Sequence, residues 1–185
     1  MKKPGLNESL RALGITAQHI NECCLPSYTE AKDLVEAGVD MFDRPARMTA
    51  ATFSAWCAMK EAAHLDGIDL KLVSAFRSVD YQCEVIARKL AEGRTIDEIL
   101  CVNAIPGHSE HHTGRALDLH AGEEEPLTPG FEQHPAFEWL TRHAGSFGFS
   151  LSYPRDNADG IDYEPWHWCY QDRDTDPGPA SGHRA

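Results

Sequence analysis

The sequence predicts an α+β fold, a single domain in which a small antiparallel sheet carries helices packed on one face. Helical patterns come first and strand patterns later, with no regular βα alternation, which separates this class from a doubly wound sheet. A chain of 185 residues has the length of one domain with its own core. Its 42% hydrophobic and 25% charged residues are those of a soluble globular protein.

The elements follow from periodicity and punctuation. Residues 1–45 read as a helical extension belonging to the same domain, and within it "SYTEAKDLVEAG" has a polar start, apolar residues at helical spacing and a glycine stop. That predicts a helix ending near Ala37. "MTAATFSAWCAMKEAAHLDG" predicts a longer helix with Thr49 as N-cap and Gly67 beyond its end. "IDLKLVSAF" alternates as a strand does and leads into Arg77, after which Ser78 caps the helix "VDYQCEVIARKLAEG". Thr95 and Glu98 have capping-box spacing at the start of "TIDEIL". "RALDLH" then reads as a strand, "HPAFEWLTRHAGSFG" as a helix with Pro135 in its first turn, and "FSLSYP" and "PWHWCY" as two further strands. Residues 173–185 have the composition of a flexible tail.

Charge and composition exclude some functions. A formal net charge of −12 without a run of Lys and Arg argues against a nucleic-acid partner. No stretch approaches the roughly 18 apolar residues of a membrane span. The amino-terminal residues lack the apolar stretch of a signal peptide. The expected location is therefore cytoplasmic, with the periplasm or cell envelope as the alternative for a mature or truncated form. Six cysteines in this setting read as reduced thiols.

Three polar segments carry the chemistry. If "GRALDLH" is a strand, Leu117 and Leu119 share one face while Ala116, Asp118 and His120 share the other. A mid-strand aspartate needs a partner, because burying an unpaired carboxylate costs several kcal/mol. His111 lies seven residues earlier, between Gly107 and Gly114, so the chain can fold back to put both on one cation, and zinc accepts such a mixture. On these residues alone, a hydrogen-bonded structural pair remains an alternative. In "YEPWHWCY", His167 and Cys169 share one strand face and Trp166 and Trp168 the other, with Glu164 held extended before Pro165. Three protein ligands plus a free carboxylate make a catalytic zinc inventory; an aromatic core strand with an incidental histidine is the alternative. In "SAFRSVDYQ", Arg77 stands where a strand turns into a helix and Gln82 one turn further on. A guanidinium there can hold a carboxylate or an oxyanion, or make a structural ion pair.

The order of these segments is more specific than any one of them. "SEHHTGRALD" fits S-x-H-x-x-G-x-A-x-D and "EPWH" fits E-x-W-H, and together they resemble the zinc D-alanyl-D-alanine carboxypeptidases of the VanY type, of the LAS group of metallopeptidases. "SAFRS" with Gln82, and "FGFSLSYP" ahead of "EPWH", match further blocks, so the resemblance covers roughly residues 45 to 170. It implies a catalytic domain over 46–172 with a zinc site in its central cleft. It also implies zinc ligation by His111, Asp118 and His167, and a general-base role for Glu164. Arg77 would stabilise the oxyanion or anchor substrate, with Gln82 and Ser109 adding hydrogen bonds to it. The implied substrate is a peptidoglycan stem peptide or muropeptide. His108 and His120 are further candidates for supporting hydrogen bonds. Cys169 stands where family members often carry a basic residue, which bears on substrate preference.

Overall fold

The computed structural model describes residues 5–171, so the expected tail lies outside the described residues. Two short helices open the chain, α1 (Leu6–Ala12) and α2 (Ala17–Glu22). The predicted helix ending near Ala37 does not form; Leu34–Val39 is a strand, β1, paired antiparallel with β2 (Pro45–Thr49). The reason is the turn between them. Asp40 Oδ1 accepts hydrogen bonds from the Phe42 and Arg44 amides, at 2.8 and 3.1 Å, while Oδ2 accepts one from Arg44 Nε at 2.7 Å. This side chain closes a hairpin, and the cross-strand ladder with β2 overrides the helical spacing.

The remaining elements follow the sequence expectation. Helix α3 (Ala50–Leu65) is capped by Thr49, α4 (Val79–Ala91) by Ser78, and α5 (Ile96–Leu100) by a complete Thr95/Glu98 capping box. Strands β3 (Lys71–Ser74), β4 (Ala116–His120), β5 (Phe149–Leu151) and β6 (His167–Tyr170) form an antiparallel sheet in the order β3-β4-β6-β5. Helix α6 (Pro135–His143) begins at its proline.

Register decides what each face of the sheet carries. Leu117 pairs with Trp168 and Leu72 with Leu119, and these side chains join Trp56, Met59 and Leu140 of α3 and α6 in the main core. Each such fully buried aliphatic side chain contributes roughly 1.5–3 kcal/mol. One residue along, Asp118 pairs with both Ser74 and His167, so period-two alternation sends these polar groups to the opposite face. A smaller core of Leu10, Ile15, Ile86, Ile99 and Ile105 holds α1 and α5 against α4.

The segment between α2 and β1 crosses the loop that leads into β4. Tyr28 N donates to Gly107 O at 2.7 Å, Ala31 N donates to His112 O at 2.8 Å, and the Glu30 carboxylate accepts the Val79 amide at the start of α4. Among the described residues no helix is long and apolar enough to cross a membrane.

Candidate metal centre and active site

Residues 110–113 form a 3-10 turn that ends at Gly114 in the left-handed region (φ +66). A Cβ there would sit 2.7 Å from a Leu34 side-chain carbon and 3.3 Å from the Thr49 amide nitrogen, so both conformation and space call for glycine. The turn points His111 and His112 in different directions. His112 Nδ1 donates to Arg77 O at 2.6 Å, and its Nε2 accepts from the Gly107 amide at 3.0 Å. Both of its nitrogens are thereby used, and it serves the backbone. His111 Nδ1 donates to Ala75 O at 2.7 Å, which fixes the tautomer and leaves Nε2 with a lone pair.

That nitrogen lies 3.1 Å from Asp118 Oδ2, and His167 Nδ1 lies 3.0 Å from Asp118 Oδ1. One donor atom from each of His111, Asp118 and His167 falls within 4.8 Å of the others, and all three residues are buried. No other group of this kind occurs among the described residues. The set is two imidazoles and a carboxylate, Asp118 and His167 on a strand pair and His111 on the turn before it, with His111 Nε2 and His167 Nδ1 both facing the Asp118 carboxylate. This matches what a tetrahedral zinc with one open position requires. His167 Nε2 donates to Glu110 Oε2 at 2.9 Å, so this ring too is oriented from behind.

The electrostatics divide the two nearby carboxylates. Burial alone would raise the pKa of Asp118, but adjoining His111 and His167 outweigh it and hold the carboxyl well below its usual range. Glu164 is raised to about 7, chiefly by burial and further by Asp118, against the opposing pull of His167 and Arg77. Its Oε2 lies 3.7 Å from His167 Nδ1, beside the donor set and outside it. A carboxylate near neutrality is suited to taking and returning a proton. Burial would lower the pKa of His167, yet the hydrogen bonds that its ring nitrogens give to Asp118 and Glu110 raise it to about 10.

Arg77 leaves β3 at the foot of α4 and approaches the same centre, its Nη2 3.6 Å from Asp118 Oδ2. Its Nη1 donates to Gln82 Oε1 at 2.8 Å, and Gln82 Nε2 donates to Ala104 O at 2.8 Å. Gln82 is fully buried, and both ends of its amide are occupied in aiming the guanidinium. Arg77, Gln82, Ser109, His111, Asp118, Glu164 and His167 all line one cavity of about 310 Å³.

The other histidines of the motif stand apart. His108 Nδ1 contacts Leu25 O at 3.0 Å, and His120 packs against Phe131 with ring centres 5.8 Å apart. The sequence reading missed Glu110 and Tyr153, whose ring packs 4.8 Å from that of His167. A carboxylate immediately before His111 was the available signal for Glu110, and Tyr153 lies in the matched block "FGFSLSYP", which had been given no role of its own. Cys169 is buried, and its thiol is pushed up by burial and by Glu110.

Comparison with known proteins agrees with this arrangement. The family model "VanY: D-alanyl-D-alanine carboxypeptidase" matches residues 45–173. YodJ of Bacillus subtilis is 31% identical over 183 residues, covering 91% of this chain and 64% of its own length. The chain spans 22% to 64% of the length of the curated relatives it matches. The solved structure of the LdcB LD-carboxypeptidase superposes with a TM-score of 0.67 at 30% identity, covering 78% of this chain and 71% of that one. A VanY D,D-pentapeptidase solved with Zn(II) superposes with a TM-score of 0.61 at 25% identity, over 79% and 82% of the two chains. Sequence blocks, sheet register and overall superposition thus lead to one assignment: the chain belongs to the VanY family of D-alanyl-D-alanine carboxypeptidases.

Proposed function

We propose that this chain is a zinc-dependent carboxypeptidase that hydrolyses the C-terminal D-alanyl-D-alanine bond of peptidoglycan stem peptides or their precursors. The observation that carries the proposal is Glu164, a buried carboxylate raised to about 7 that lies beside His111, Asp118 and His167 without joining them. A purely structural zinc site closes its coordination sphere and needs no such neighbour. His111 Nε2, Asp118 and His167 Nδ1 would hold the metal, which supplies a Lewis acid for the scissile carbonyl and acidifies an attacking water. Glu164 would accept a proton from the attacking water and return it to the departing amine. Arg77, aimed by Gln82, neutralises the developing oxyanion or anchors the substrate's terminal carboxylate, and Ser109 contributes a hydrogen bond at the cavity wall.

A second reading, an L,D-carboxypeptidase acting on tetrapeptides, draws support from the likeness to LdcB. Incubation with defined pentapeptide and tetrapeptide muropeptides, followed by mass analysis of the fragments, separates the two. Release of D-alanine from the pentapeptide is expected; release from the tetrapeptide alone establishes the second reading, and release of an intact D-Ala-D-Ala dipeptide overturns both. In the same assay Glu164→Gln should retain zinc and lose at least about a thousandfold in turnover, as removal of a proton-transfer group does.

A further inference from the structure

The 310 Å³ cavity does not end at the zinc ligands. Arg77, Lys89, Asn103 and Leu127 form part of its wall and also part of the wall of a second, larger groove of about 580 Å³. That groove is lined by Arg47 of β2 and by Arg88 and Lys89 of α4, and Arg94 stands on the zinc-cavity side. The chain as a whole carries a net charge of −12, so cations gathered here run against the average. The sequence conceals the cluster, because its members come from β2, the β3–α4 junction and the far end of α4.

Their pairing state is the second observation. Among the described residues, no carboxylate lies within 4.0 Å of a charged nitrogen of Arg47, Arg88, Lys89 or Arg94. Arg47 and Arg88 rest over the rings of Phe76 and Tyr81, at 5.3 and 5.9 Å. The acidic residue of the groove, Asp40, is already engaged by Arg44 at 2.7 Å. Lys89 is half-buried, and its pKa is lowered by burial first and then by Arg94 and Arg77. Glu164 and Glu92 act on Lys89 in the opposite sense, but cations gathered on one groove without a carboxylate in contact favour an incoming anion.

The reaction dictates which part of the substrate reaches them. A carboxypeptidase leaves only one residue beyond the scissile bond, so a groove extending past the zinc cavity can be filled only by the acyl side. We infer that the groove lined by Arg47, Arg88 and Lys89 is a subsite for a free carboxylate on the acyl portion of the peptide, making acidic stem peptides the favoured substrates. Leu127, 43% exposed with φ +59, lines both this subsite and the zinc cavity.

The inference rests on the proposed carboxypeptidase reading, and a binding experiment tests it separately. Two peptides ending in D-Ala-D-Ala, identical except that one acyl-side carboxylate is free in one and amidated in the other, are titrated calorimetrically into the zinc-loaded full chain carrying Glu164→Gln. The free acid should bind about fivefold more tightly at low salt, the scale of one partly exposed ion pair. The preference should shrink as ionic strength rises. Adding Lys89→Met, or Arg88→Met as a second variant, should bring the affinity ratio towards one while circular dichroism confirms the fold. Equal affinity for the two peptides, a preference unchanged in both variants, or no binding of either overturns the inference. D-Alanine release by the unsubstituted chain is measured in parallel. A charge preference without release sinks the carboxypeptidase reading and keeps the subsite; release without a charge preference does the reverse.

Discussion

The two faces of the β4–β6 strand pair are built from the same backbone ladder and do opposite work. On one side Leu117 faces Trp168 and the main core; on the other Asp118 faces His167 and the cavity. Adjacent residues in sequence thus belong to the main apolar core and to the cavity that holds the buried charges. Metal geometry and core packing share one register, and a slip of a single residue would exchange them. The ligands can be held closely because the core behind them is packed.

That comparison can be broken from either side. The largest effect is expected on the polar face: Asp118→Ala or His167→Ala should abolish zinc uptake in elemental analysis and lower D-alanine release at least about a thousandfold, since metal polarisation contributes several kcal/mol. On the apolar face, Leu117→Ala should lower unfolding free energy in urea by about 2–5 kcal/mol. Zinc content per folded molecule should stay unchanged. The smallest effect is expected from Glu110→Gln, which loosens the ring of His167 without removing a ligand. Chelator competition should show zinc affinity reduced by about 10- to 100-fold. A variant at Glu110 with unaltered zinc affinity would reduce that residue to a packing role.

Legibility from the sequence followed the same division between local and distant causes. Thr49, Ser78 and the Thr95/Glu98 pair announce their helices because caps act within one turn. Asp118 and His167 were legible as site residues because strand alternation gives each a face. The strand at Leu34–Val39 was not, because its conformation is decided by Asp40 and by pairing with β2. Helical spacing in "SYTEAKDLVEAG" carries no information about that partner. Glu110 and the gathered cations were hidden for a related reason, since their roles depend on residues 57 positions away (His167 from Glu110) or on separate elements. Gln82 was read as a substrate contact; the structure adds that its amide accepts from Arg77 and donates to Ala104.

The hydrogen bonds from Tyr28 and Ala31 to the Gly107 and His112 carbonyls, with Glu30 on the first amide of α4, bear on where this chain can be cut. The family match begins at residue 45, yet the loop that delivers His111 is lashed down by a stretch that precedes it. Trimming the chain to the matched region would leave every chemical group in place and remove the strap that keeps one of them still. The boundary that similarity draws and the boundary of the mechanical device fall at different residues.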